Sequence, residues 1–582
     1  MAKGESLAAR GTRLVNRAHA WRAGQGVPAP GFVAAPEPRT IGRLGKGRQL
    51  IEGTFLFAGQ ISKAPGSSIW EVAEAGDGAF ASEIHGGAWL DDLAAVGDRT
   101  ARATAQAWVW DWIARYGHGI GPGWRPELAG RRLIRWINHA VFLLRGRDEA
   151  AAEAFYASLS RQTRFLSRRW KSAPAGLARI EALTGLIHAA LSLEGMTDLA
   201  RPALAALAKE CRSEIGPEGE IPSRCPEELL GVFTLLVWAS QALAEAEAAA
   251  PAEIDEAIAR IAPTLRALRH ADGGLARFHG GGRGMDGRLD HGLAIAGVRG
   301  RRSGPAMGFA RLAAGRTTLI ADASPPPTGA AGAEAHASTL AIELTSGRRP
   351  VIVNCGPGTN FGPDWRRAGR ATPSHSTLAI EGWSSARLVG GTGAQTGREV
   401  LEDGPDKVPV ELEDLGDRYR LNTGHNAWQK THGLTHARIL DLSYDGRSLL
   451  GEDLLTTLSD ADRRRFDRAM AEQDGRGIPV AIRFHLHPDV SAEPDMGGTA
   501  VALTLKSGEV WLFRHSGDAE MHLEPSVYLD SSRLRPRATS QVVLSGRAMT
   551  YSTRIRWSLA KAQETPDSLR DLAPGDLAHD DD

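Results

Sequence analysis

Between residues 95 and 270 apolar side chains recur three and four positions apart, the period that lays them along one face of a helix. The pattern predicts helices over 100–116, 130–144, 149–170, 177–193 and 227–248, with strand signals nearly absent. The links carry residues that helix interiors tolerate badly: Gly119-Ile120-Gly121-Pro122-Gly123, Ser172-Ala173-Pro174-Ala175-Gly176 and Gly216-Pro217-Glu218-Gly219. Paired helices with short links predict an α/α barrel or bundle. From residue 273 the period changes. A stretch rich in Gly and Arg leads into short β-type runs at 317–321, 339–344, 351–354, 377–380, 480–486, 501–505, 510–513 and 552–557. Turn pairs such as Asp445-Gly446 and Ser507-Gly508 fall between such runs, as hairpins require. Many short strands after a block of helices predict a separate antiparallel sandwich.

The length, 582 residues, suits two large domains. Lys+Arg and Asp+Glu both total 69, so the formal charge is zero and gives no global drive toward nucleic acid or a membrane surface. Cys211, Cys225 and Cys355 are too few and too scattered for a disulfide framework or a Cys-rich zinc module, and read as free thiols. The first forty residues hold Arg10, Arg13, Arg17, Arg22 and Arg39 without the apolar run of a secretory signal, and no later stretch approaches a membrane span. The expected location is the cytoplasm, with periplasm or cell envelope as the alternative.

Several groupings could carry chemistry. Arg131, Arg132, Arg135 and His139 share a predicted helix with Trp136 and Asn138; they could clamp carboxylates and stack a sugar ring, or form a solvated face with Trp136 in the core. Arg168, Arg169, Trp170 and Lys171 form a second basic-aromatic group at a helix end. Trp89-Leu90-Asp91-Asp92, with Trp108, Trp110 and Trp112 nearby, could add cleft residues, although most of these tryptophans suit a core. Glu334 and His336 are two apart, so an extended backbone would put both on one face, where a desolvated carboxylate could act as general acid or base. His485 and His487 repeat that spacing and read as a metal pair or, better, a hydrogen-bonded pair. The glycine-rich run 277–284 follows no strand and opens no helix, which excludes a nucleotide loop; it either carries Arg277, His279 and Arg283 into an interdomain cleft or is a plain linker.

Some local phrases, in this order, resemble the heparinase II/III polysaccharide lyases: Trp89-Leu90-Asp91-Asp92-Leu93, Arg131-Arg132-Leu133-Ile134-Arg135-Trp136, the run His336 to Leu344, Val353-Asn354-Cys355-Gly356, and Ser374-His375-Ser376-Thr377-Leu378-Ala379-Ile380-Glu381-Gly382. The resemblance implies an α+β multidomain chain. A basic, partly disordered segment spans 1–45; an (α/α) toroid, or incomplete barrel, 46–272; a Gly/Arg-rich junction 273–304; an antiparallel β-sandwich 305–562; and an acidic disordered tail 563–582. It also implies β-elimination on uronate-containing acidic glycans such as glycosaminoglycans, in which a base removes the C5 proton, the enolate is neutralised and the leaving oxygen is protonated.

The family's catalytic positions are largely substituted. Its Asn-His pair falls on Gly176-Leu177-Ala178-Arg179-Ile180-Glu181, its Tyr on Ser223-Arg224-Cys225-Pro226-Glu227-Glu228, and its catalytic His on Glu334. Glu334, His336 and His279 are therefore the acid-base candidates, and Arg131, Arg135, Trp136, Arg179 and Glu181 the substrate-binding ones. The structural zinc of the family would fall to His336, Asn354 and His375, a weak set because an amide oxygen replaces a carboxylate. Expected function is a polysaccharide lyase or lyase-like protein on an acidic polysaccharide or oligosaccharide. The alternatives are a catalytically impaired glycan-binding protein and a hydrolase pairing Asp91 or Asp92 with Glu181.

Overall fold

A computed structural model describes residues 7–300, 302–390, 399–530, 533 and 535–562. The acidic tail expected at 563–582 lies outside them. The chain divides into two compact units, one made of 1–219, 230–262 and 288–298, the other of 220–229, 263–287 and 299–582.

The first unit is helical. The observed helices Arg99–Tyr116, Glu149–Arg169 and Leu177–Ser192 follow the apolar period and begin where the sequence supplies a start signal. Asp98 and Asp148 each accept a backbone N–H of the first turn, from Ala101 and Ala151, relieving donors that a helix start leaves unpaired. The single helix expected over 130–144 is two, Pro126–Asn138 and Ala140–Leu144, because Pro126 opens the first early and His139 leaves helical geometry between them. The basic N-terminal segment carries a helix, Leu7–Ala23. A hairpin, Thr54–Phe57 with Gln60–Lys63, is the element the helical pattern hides; it turns at Ala58 and Gly59, both at positive φ, and buries Phe55 and Phe57. Among the described residues one helix, Pro226–Glu245, is by length and composition apolar enough to cross a membrane, which corrects the reading that no stretch approaches a span; 67% of its apolar window is buried inside the structure.

In the second unit two antiparallel sheets enclose one core. The first runs in spatial order Val410–Asp414, Arg418–His425, Thr435–Ser443, Ser448–Thr456, Ser552–Lys561, Val510–Ser516, Ala500–Leu505, Val490–Asp495. The second runs Ala519–Tyr528, Arg537–Ala548, Ile478–Leu486, Arg349–Val353, Ile342–Ser346, Thr317–Asp322, Phe309–Ala314, with Leu378–Ile380 also paired to Ile478–Leu486. Alternating inward residues build the core, where Phe484 meets Trp557 at 4.7 Å and Phe513 stacks on Trp557 at 8°. A buried ionic group lies among them: Arg438 donates to Asp453 through Nε and Nη2, and the His436 ring and Trp557 Nε1 complete the carboxylate's partners. Burial alone would raise Asp453, but Arg438 and His436 hold it far below the carboxylate range.

Candidate functional site

In the first unit the substrate-binding candidates are paired with one another or with neighbours. Helices Pro126–Asn138 and Leu177–Ser192 approach so closely that a Cβ on Gly185 would lie 2.4 Å from Gly130 Cα, and this contact sets Arg131 beside Glu181. Arg131 Nε donates to Glu181 Oε1 at 2.6 Å, while the arginine stays 35% exposed. Glu181 is buried, its Oε2 has no hydrogen-bond partner, and burial pushes its pKa up in spite of Arg131. One turn on, Arg135 Nε donates to Asp91 Oδ2 at 3.0 Å; Thr40 Oγ1 donates to Asp91 Oδ1 at 2.7 Å and His139 Nε2 lies 3.0 Å from the same oxygen. Burial opposes ionisation of Asp91, but Arg135, His139 and Thr40 together hold its pKa low. Thr40 and Asp91 meet the same imidazole nitrogen, so this is no hydroxyl–imidazole–carboxylate relay, which needs both ring nitrogens. Arg179 is held by Glu210 at 3.3 Å and by the Ala173 carbonyl.

Trp136 corrects its expectation. It is 1% exposed, edge-on to Trp112 and stacked with Phe155, so it is core and offers no face to a sugar. Trp89, Trp108 and Trp112 are buried as well.

In the second unit Glu334 and His336 diverge. Glu334 ends a short 3-10 turn, Gly329–Glu334, rather than lying in a strand, so the shared face does not form. Its carboxylate is 39% exposed and gripped bidentately by Arg366, Nε to Oε2 at 3.1 Å and Nη2 to Oε1 at 2.9 Å. It is neither desolvated nor free. Arg366, which sequence reasoning passed over, comes from the Trp365-Arg366-Arg367 run just ahead of the Ser374-His375 phrase; its position there was the available signal.

His336 turns inward and joins a chain of buried rings. Gly280 N–H donates to His336 Nε2 at 3.1 Å, so that nitrogen is the acceptor and the proton resides on Nδ1, which donates to His375 Nε2 at 3.1 Å. His375 Nδ1 in turn donates to the Ala371 carbonyl at 2.9 Å. His279 Nδ1 accepts the His336 backbone N–H at 3.2 Å, leaving Nε2–H toward Asp322 Oδ2 at 3.5 Å. Asp322 is fully buried, with Arg224 at 2.5 Å and Ser338 Oγ at 2.6 Å. Burial keeps all three imidazoles neutral, with His279 and His336 well below the usual range and His375 pushed down to about 4. Gly280 makes this possible: at φ +84° it brings its backbone over Glu334, where a Cβ would lie 2.7 Å from the Glu334 Cβ.

The implied zinc does not fit these residues. A metal on His336 Nδ1 requires a proton on Nε2, which Gly280 N–H already faces as donor. Asn354 Oδ1 accepts the Ser376 N–H at 2.9 Å and its amide reaches Glu343. Among the described residues no group of three or more His, Cys, Asp or Glu could hold a metal ion. His485 and His487 do not form a metal pair either: His485 donates to the Pro373 carbonyl at 3.0 Å and meets Ser526 Oγ at 2.8 Å, while His487 packs against Tyr528 and Asp489. The three cysteines are free and buried.

Comparison with known proteins places this arrangement. Residues 296–558 match the family described as heparinase II/III-like, C-terminal. The FtsZ-localized protein C of Caulobacter vibrioides is 30% identical over 489 residues, covering 83% of this chain and 82% of that protein. Among solved structures, that of heparinase III superposes with a TM-score of 0.61 at 12% identity, covering 84% of this chain and 78% of that one. The heparan sulfate lyase HepC of Pedobacter heparinus, in a mutant form, does so with 0.57 at 14% identity over 96% and 90%. A helical region of the (α/α) toroid type followed by an antiparallel β-sandwich is the fold they share. With the family's C-terminal domain over residues 296–558 and a relative 30% identical across 83% of the chain, the chain belongs to the heparinase II/III family.

Proposed function

We propose that this protein is a lyase-fold receptor for uronate-containing acidic glycans, binding them without efficient cleavage. The observation that carries the reading is the state of the acid-base candidates: Glu334 is neutralised by Arg366, and His336 has both ring nitrogens engaged in a buried, uncharged chain. A β-elimination site needs a base with a free lone pair at the substrate and a proton donor for the leaving oxygen, and neither group is in that condition. Binding capacity fares better, since Arg131 remains a third exposed and Glu181 keeps an unpaired oxygen. One of the solved neighbours, HepC, is by its title a heparan sulfate lyase, which supports an acidic polysaccharide as the ligand class.

A lyase reading has one observation in its favour: Glu181, which closes the run that resembles the family's Asn-His segment, is buried and has its pKa raised by burial. Against the hydrolase reading stand the arginines that hold Asp91 and Glu181, while Asp92 accepts the Arg43 backbone N–H.

The purified chain should be incubated with uronate polymers while following the ultraviolet absorbance of the unsaturated sugar that elimination creates. The expected result is no rise, together with saturable binding that weakens roughly tenfold in Arg131→Ala, the loss of about 1.4 kcal/mol. A rise that disappears in Glu181→Gln or Glu334→Gln would establish a lyase with a rebuilt catalytic set. The relative's name says that it localises with FtsZ, and the same localisation is carried over to this chain as part of the proposal. A fluorescent fusion should gather where FtsZ does; a uniform distribution would count against it.

A further inference from the structure

In the second unit a cavity of about 870 Å³ has Asp364, Arg367 and Ala368 of helix Pro363–Gly369 in its lining, but neither Arg366 nor Glu334. Arg366 reaches Glu334, whereas its neighbour Arg367 lines the cavity. The volume is within the range of small-molecule sites, roughly 300–1,000 Å³. We propose that this cavity is a second site, for an acidic oligosaccharide of a few sugar units, separate from Arg131 and Glu181.

Trp383 carries the argument. It lines the cavity and is 49% exposed, unusual for so large an apolar residue, and is held in place rather than loose. His432 meets it edge-to-face at 5.1 Å and 87°, and Trp383 N–H donates to the Ile380 carbonyl at 2.9 Å across a turn that needs Gly382 at φ +81°. The following residues are tied down as well: Ser385 N–H donates to Thr372 Oγ1 at 2.8 Å, and Thr372 N–H to Ser384 Oγ at 3.1 Å. A fixed, exposed aromatic face beside polar groups is the platform on which the C–H face of a sugar ring can lie while its hydroxyls find partners.

Charge selects the class of sugar. Arg367, Arg387 and Lys430 line the cavity against Asp364 and Asp403. Arg387 is taken by Asp403 at 2.8 Å and Arg367 by Glu399, whereas Lys430, which is exposed, and Asp364 make no ion pair among the described residues. With three cationic side chains against two carboxylates, the lining suits a sugar that carries a carboxylate or sulfate over a neutral one.

The choice of sugar rests on the glycan reading above, so the test separates the two. Binding of a heparan-type tetrasaccharide and of neutral cellotetraose to the full chain should be measured by calorimetry, with Trp383→Ala, Lys430→Ala, Arg131→Ala and the remote Arg476→Ala. The acidic tetrasaccharide is expected to bind, with affinity falling roughly tenfold in Trp383→Ala and several-fold in Lys430→Ala, and unchanged in Arg476→Ala. Both cavity side chains are exposed, and unfolding curves matching the parent chain confirm intact variants. Binding lost in Arg131→Ala but unaffected in Trp383→Ala and Lys430→Ala would overturn the second site and leave the glycan reading standing. Equal affinity for cellotetraose would overturn the acidic class, and no tetrasaccharide binding at all would overturn both readings.

Discussion

Individual residues show how a side chain's chemistry depends on what surrounds it. Glu334 and His336 stand two apart in sequence, yet one ends in a bidentate ion pair near solvent and the other in a buried chain of imidazoles. Burial decides the second outcome, because a charged imidazole loses its water and gains no nearby carboxylate in compensation. The same holds elsewhere: burial pushes His85, His188 and His485 down to about 3 and His375 to about 4. In the unfolded chain these groups bind protons near pH 6.5. The folded form cannot, so as pH falls below about 6.5 the unfolded state takes up protons that the folded state refuses. Stability from this source is complete above that pH and declines until the folded values are reached, by about 1.4 kcal/mol for each unit of depression at each histidine. Urea unfolding should therefore show a clearly lower midpoint at about pH 5 than at about pH 7.5. An unchanged midpoint would mean that these rings can charge in place.

At the scale of elements, the pairing of Pro126–Asn138 with Leu177–Ser192 governs the Arg131–Glu181 site. Both helices use glycine where they cross, and the atoms a new Cβ would strike are backbone: Gly130 Cα for Gly185, and the Glu181 carbonyl for Gly130 at 2.3 Å. Backbone in a helix cannot move aside as a flexible side chain can. Gly185→Ala gains about 1 kcal/mol of helix propensity but overpacks the contact at a cost of about 1–3 kcal/mol or more. The net expectation is a lower unfolding midpoint and weaker glycan binding, as Glu181 is displaced. Gly231→Ala is the contrast, since its Cβ would meet only the Leu177 side chain at 3.4 Å; that change should be neutral or stabilising. Equal effects from the two substitutions would show that the crossing does not set the site.

Over the whole molecule the fold is one that lyases share, and the positions that resemble the family's reactive ones by sequence carry other residues. The residues at those positions are not vacant: Arg224, standing in the Ser223-Arg224-Cys225-Pro226 phrase, is committed to Asp322 and to carbonyls of Met307, Gly308 and Pro325. Such a residue stabilises a buried carboxylate, and its removal would leave that charge uncompensated. Formal neutrality of the chain fits a protein whose recognition depends on local groups such as Arg131 and Lys430 rather than on a broad field.

The longer helices, such as Arg99–Tyr116, Glu149–Arg169 and Leu177–Ser192, and eight of the strands were legible in the sequence because they rest on local information: apolar period, and Gly or Pro at the links. The family phrases added which known fold these two blocks resemble. The Ala58-Gly59 hairpin was missed because its strands have four residues each, too few for a period to show. The site was less legible. Sequence named Glu334, His336, His375, Arg131 and Glu181, but only the tertiary structure decided that Arg366 neutralises Glu334, that Gly280 fixes the His336 tautomer against a metal, and that Trp136 is core while Trp383 is exposed. Those outcomes depend on residues tens to hundreds of positions apart and on burial, and no spacing along the chain encodes which carboxylate an arginine will meet or which indole is left facing water.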